Sequence, residues 1–111
     1  MVKLSPAPLD AVFGALSDAT RRGILAQLAR EGASAVSDLS EPYAMTAPAI
    51  SKHLRVLEDA GLISRERQGR VRICSLNARA LGGAEAWLDS TRRFWEEQLD
   101  ALGRFLRENA D

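Results

Sequence analysis

The sequence predicts a mainly α fold with a small β-wing, and three stretches carry that prediction. The first runs from Met45 to Gly61 and reads as one helix with two faces. Ile50, Leu54 and Leu57 recur at i, i+4 and i+7, while Ser51, Lys52, Arg55 and Asp59 take the opposite side. The second runs from Ser64 to Leu76, where alternation resumes on both sides of a turn signal, Gly69, as in a β-hairpin. Arg65, Arg67, Arg70 and Arg72 crowd this hairpin against one acid, Glu66. A two-faced helix followed directly by a basic hairpin is the layout of a winged helix-turn-helix. The third stretch is a long terminal helix that carries both tryptophans of the chain.

At 111 residues the chain is one domain with a modest core. Residues 1–8 read as an extended arm, because Pro6 and Pro8 break any early helix. Residues 9–76 form the winged core. Leu9, Val12, Phe13 and Leu16 space as a first helix, interrupted at Ser17-Asp18. Asp18 caps a second helix through Arg30, buried along Ile24, Leu25 and Leu28 and ended by Glu31-Gly32. Arg21 and Arg22 fall in its first turn, where the helix dipole disfavours cations, so they need partners, at least one of them in a structural ion pair. Ala33 to Val36 suits a short strand against the wing. Ser34 or Ser37 caps a brief third helix holding Leu39 and Tyr43, which Pro42 ends. In the reading helix Thr46 is the N-cap, Pro48 fits the first turn and Gly61 is the stop.

Residues 77–111 are helical, with Asn77 as a cap and the firm part starting near Ala84, after Gly82-Gly83. Trp87, Leu88, Thr91, Phe94, Trp95, Leu99, Leu102, Phe105 and Leu106 form a stripe about half a turn wide. So much apolar surface needs a partner, and a second copy of the helix is the favoured one.

Composition narrows the function. The formal net charge is zero, but it is segregated. From Ile50 to Arg72 six bases face three acids, a net +3, and from Ala84 to the end four bases face seven acids, a net −3. One cysteine allows no internal disulfide and suits a reducing cytoplasm. The N-terminal stretch reads as neither a signal peptide nor a membrane span. His53 and Cys74 are the only soft metal ligands, and a tight transition-metal site takes three or four, so neither a metal nor a cofactor is expected. His53 reads as packed or phosphate-contacting. Cys74 lies on the strand face of Leu76 and reads as a buried thiol. One histidine and no nucleotide or nucleophile motif argue against an enzyme.

Three strings, Ala15 to Leu25, Ala49 to Ile63 and Gly69-Arg70, resemble in order and spacing the ArsR-type family of bacterial transcriptional regulators. The likeness covers nearly the whole chain. Many members sense metals through cysteine pairs in the third helix or His/Asp/Glu sets in the last. Val36 to Glu41 holds no cysteine here and the last helix no histidine, so the non-metal members are the nearer match. The resemblance implies a homodimer, paired through the terminal helices, that binds double-stranded DNA. Base edges would be read by Thr46, Ala47, Pro48, Ser51 and Arg55. Phosphates would be met by Lys52, His53, Arg65, Arg67, Arg70, Arg72 and Arg22. Members often carry Gln at the position of Ala47 and Gly at that of Ala44; alanine in a left-handed turn costs about 1 kcal/mol. The expected function is a repressor on a near-palindromic operator; the residues name no inducer. Two other readings stay open: a winged-helix module that grips another protein, and a thiol-based redox sensor acting through Cys74.

Overall fold

The computed structural model describes residues 7–110. Helix α1 spans Ala7–Leu16 and α2 Ala19–Glu31; strand β1 is Ser34–Ala35, followed at once by α3, Val36–Ser40. The two-faced helix is α4, Ala47–Asp59. Strands β2 (Ile63–Gln68) and β3 (Val71–Leu76) form the wing, and a 3-10 turn at Ala78–Leu81 leads into α5, Gly82–Glu108.

Local chemistry sets most of these boundaries. Asp18 caps α2 by accepting from the backbone N–H of Arg21 at 3.1 Å, and Thr46 Oγ1 caps α4 by accepting from Ala49 N at 3.3 Å. Gly61 closes α4 with φ of 79°, the N–H of Leu62 donating to Leu57 O and that of Gly61 to Glu58 O. That pair of bonds is a Schellman motif, and its left-handed residue favours glycine. Gly69, with φ of 65°, opens a two-residue hairpin turn between Gln68 and Val71. Arg70 does not share the positive φ, which is the sign pattern of a type II′ turn.

The strands lie in the order β1-β3-β2, all antiparallel. Ile63 pairs with Leu76 and Arg65 with Cys74, so these four share the inward face. The core joins Val12 and Ala15 of α1, Ile24, Leu25 and Leu28 of α2, Leu39 of α3 and Ile50, Leu54 and Leu57 of α4 to Leu62, Ile63 and Cys74. Burying each such aliphatic side chain contributes about 1.5–3 kcal/mol.

Five expectations need correction. α1 already includes Ala7 and Pro8, because a proline in the first turn gives up an N–H that has no helical acceptor; the rest of the expected arm lies outside the described residues. Neither Ser34 nor Ser37 caps α3, whose N-cap is Ala35 without a side-chain bond. Ser34 instead donates to Gly32 O. Ala44 is unstrained, since no described residue other than glycine has a positive φ. Asn77 does not cap α5 with its side chain: its Nδ2 donates to Gly61 O at 2.9 Å, tying the end of the wing to the end of α4. The helix starts at Gly82 rather than near Ala84.

Tyr43 fixes the approach to α4. Its ring lies over Gly23 in the middle of α2, and a Cβ there would collide with the phenolic oxygen. Glycine in a helix interior ordinarily costs about 1 kcal/mol relative to alanine. Gly23→Ala is therefore expected to lower the thermal midpoint rather than raise it. Adding Tyr43→Phe should recover part of the loss, because the nearest remaining ring atom stands 3.4 Å from the new Cβ. Thermal unfolding of the two single variants and the double variant checks this; a Gly23→Ala protein as stable as the parent contradicts it.

Candidate nucleic-acid interface

The core decides which side of α4 meets solvent. Ile50, Leu54 and Leu57 are buried, so Ala47, Pro48, Ser51, Lys52, Arg55 and Asp59 lie exposed along the other side, with Thr46 exposed at the cap. Ser51, Lys52 and Arg55 sit three and four residues apart and form one continuous polar strip. This side runs the length of the helix, with the small residues Ala47 and Pro48 at its N-terminal end and the cations Lys52 and Arg55 beyond them.

The wing presents a second basic surface. Arg67, Arg70 and Arg72 are all exposed, and Arg67 stands directly opposite Arg72 across the two strands. Like charges in that register repel each other unless an anion lies between them. Arg65, Glu66, Arg67 and Arg72 line a shallow hollow on this surface. Among the described residues Lys52, Arg55, Arg67, Arg70 and Arg72 have no acid within ion-pair distance.

The other predicted contacts are engaged within the protein. Arg65 donates from Nη2 to Glu58 Oε1 at 2.8 Å and from Nε to the same oxygen at 3.2 Å, which holds β2 to the last turn of α4. Arg22 donates to Leu16 O at 2.7 Å. Arg21 donates from Nε to Ala15 O at 2.7 Å and from Nη2 to Gly14 O at 3.2 Å. The cations of the first turn of α2 thus find the orphan carbonyls at the end of α1, where the dipole favours positive charge. The expected structural ion pair for this couple is replaced by these backbone bonds. His53 is half-buried and turns toward α2: its Nδ1 lies 3.2 Å from Arg21 Nη1 and 3.8 Å from Asp18 Oδ2. The backbone hydrogen bond from Arg21 holds the Asp18 carboxyl below the usual carboxylate range.

The family resemblance places Arg21 with Arg22 near the core and the DNA backbone, but sequence reasoning did not name Arg21's partners and did not single out Glu58. The signal for Arg21 was its cation at a helix N-terminus; its partners are backbone carbonyls, which no side-chain pattern names. Glu58 carried no signal, because it meets Arg65 only once the chain has turned back into the wing.

Cys74 is fully buried on the inward face of β3, and burial pushes its thiol up. No group of three or more His, Cys, Asp or Glu side chains among the described residues is placed to hold a metal ion. No described helix is long and apolar enough to cross a membrane.

Along α5 the stripe is bare. Ala84 is the one buried residue of this helix, while Trp87 is 48% exposed and Leu99 63%. Leu88, Phe94, Trp95, Leu102, Phe105 and Leu106 are exposed as well, and Thr91 is half-buried. Only the start of the helix touches its own domain, where Trp87 meets Phe13 edge to face at 5.6 Å between centroids.

Known proteins share this arrangement. A helix-turn-helix domain family matches residues 16–66. The HTH-type transcriptional regulator Rv2034 of Mycobacterium tuberculosis is 33% identical over 102 residues, 92% of this chain and 92% of that protein. The transcriptional repressor SdpR of Bacillus subtilis is 38% identical over 80 residues, 72% of this chain and 88% of that one. The crystal structure of an ArsR family transcriptional regulator, RHA00566, superposes with a TM-score of 0.78 at 40% identity, covering 86% of this chain and 97% of that one. By sequence over almost its full length and by the order of its helices and wing, this chain belongs to the ArsR family of winged helix-turn-helix transcriptional regulators.

Proposed function

We propose that the chain is a repressor that binds a near-palindromic site in double-stranded DNA as a homodimer. The observation that carries this reading is the set of five exposed cations without acid partners, two on α4 and three on the wing. In this reading α4 enters the major groove, with Thr46, Ala47, Pro48, Ser51 and Arg55 toward base edges. Lys52 and the wing arginines meet phosphates. Arg65, Arg22 and His53 serve the interface by orientation, since their groups are already bonded inside the protein. The relative named a repressor supports the regulatory sign. The burial of Cys74 weighs against redox sensing, and its neutral thiol is expected to resist alkylation in the native chain and to react on unfolding, as mass spectrometry would report.

Operator sequences selected from a random DNA library provide the test. Arg55→Ala should weaken binding to the selected site by about 1–3 kcal/mol and alter the preferred sequence. Lys52→Ala should weaken all sequences alike and reduce the salt dependence by about one counterion. The pair Arg67→Ala/Arg70→Ala should lose affinity strongly at an almost unchanged thermal midpoint. Parent-like binding by all of these variants rules the interface out.

The dimer is tested separately. A two-fold pair would set the reading helices about 34 Å apart, one turn of DNA. Trp95→Glu/Leu102→Glu should be monomeric or poorly soluble and should lose operator binding. Sedimentation equilibrium decides: a parent that is monomeric at micromolar concentration yet binds its operator tightly defeats the dimer, and a double variant that stays dimeric removes the α5 stripe from its seam. A stable complex with a different protein in place of the dimer would favour the interaction-module reading.

A further inference from the structure

We propose that His53 is a positioning residue of the reading helix, and that it holds α4 through Arg21 only as the neutral imidazole, so that DNA affinity falls on acidification. The inference rests on the reading in which α4 meets DNA.

The geometry is a three-element joint. Arg21 of α2 binds the carbonyls of Gly14 and Ala15 at the end of α1 and reaches His53 of α4 with Nη1. A guanidinium can only donate, so Nδ1 of His53 must accept, which requires the tautomer with its proton on Nε2. The exposed strip of α4 begins one residue away, at Lys52. A proton on Nδ1 turns the acceptor into a donor and sets two cations at contact distance. Arg21 is held by two further bonds and cannot easily withdraw. The imidazole then gains by moving toward Asp18, whose carboxylate already stands 3.8 Å from Nδ1. The joint exchanges one partner for another, and α4 shifts with it.

The charged surroundings are few. From α2 the groups facing the ring are Asp18 and Arg21. The one charged residue of α1, Asp10, lies in its first turn, at the end away from Gly14 and Ala15. On α4 the neighbouring Lys52 and Arg55 point into solvent. His53 is also the only histidine of the chain, and histidine is the side chain that ordinarily changes charge between about pH 5 and 8.

The sign separates this joint from simple electrostatics. Extra positive charge near a DNA-facing helix would by itself tighten binding in acid; loss of the Arg21 bond loosens it. The test compares the full chain with His53→Gln, whose side-chain carbonyl can accept from Arg21 and does not titrate. Fluorescence anisotropy on the selected operator, at fixed ionic strength, is read from about pH 7.5 to about pH 5.5. With each protein normalised to its own affinity at neutral pH, the parent should lose about five- to tenfold more affinity on acidification than the variant. Equal pH dependence of the two proteins, or tighter parent binding in acid, overturns the proposal. Nitrogen-15 NMR of the DNA-free protein gives an independent readout. The single imidazole should carry its proton on Nε2 at neutral pH, and acid should shift the amide signals of α4 in the parent but not in His53→Gln. A proton on Nδ1, or α4 signals indifferent to acid in the parent, overturns it whether or not the chain binds DNA.

Discussion

The structure depends on the burial of a single stripe of α4. Ile50, Leu54 and Leu57 are at most 1% exposed, and each contacts a core drawn from every other layer of the domain. Removing such a side chain costs about 2–5 kcal/mol, more than any polar contact on the opposite side can return. The rotation of α4 about its axis is therefore set by the core. Ser51, Lys52 and Arg55 face solvent as a consequence, whatever their own preference. A surface that binds DNA needs donors held in fixed register, and here the register is delivered by hydrophobic packing at no cost to the polar groups.

The same logic separates what the sequence discloses from what it does not. The faces of α4, its Thr46 cap, its Gly61 stop and the turn at Gly69 were legible, because each depends on a period or on a residue with one conformational preference. The β1 strand was legible through its place before the wing. Failures fall where backbone groups answer side chains over a distance. Arg21 and Arg22 signalled that they needed partners, but the partners are carbonyls of Gly14, Ala15 and Leu16, present in every residue type. Asn77 read as a helix cap and spends its amide on Gly61 O instead, sixteen residues back. Arg65 looked equivalent to Arg67 and Arg72, and only the register of β2 against α4 sets it beside Glu58.

That division of the arginines bears on how a chain with zero net charge can favour DNA. Five exposed cations without acid partners, Lys52, Arg55, Arg67, Arg70 and Arg72, cluster on α4 and the wing, while Arg21, Arg22 and Arg65 beside them are bonded to carbonyls or to Glu58. A cation committed to a carbonyl still contributes its charge to the local field, yet it cannot follow a phosphate. On this side of the domain the unpaired basic charge therefore lies on the exposed faces of α4 and the wing. Across the wing, Arg67 opposite Arg72 raises the energy of the free protein slightly, and a bound phosphate between them lowers it.

The acidic end of the chain adds direction. Helix α5 carries six acids against four bases, a net −2, and only its start touches its own domain. Phosphates repel that helix, so approaches that bring α5 to the duplex are disfavoured and those that bring α4 remain. The charged residues sit beside an apolar stripe, and pairing two such stripes buries the apolar side while leaving acids at the rim. Acids at the rim oppose a close pairing of like helices unless bases answer them, and Arg92, Arg93, Arg104 and Arg107 are spaced along the same helix; Arg92 already pairs with Asp89. One helix therefore carries an apolar stripe, charges of both signs and a net repulsion from DNA, a combination that suits pairing through the stripe with the helix held off the duplex.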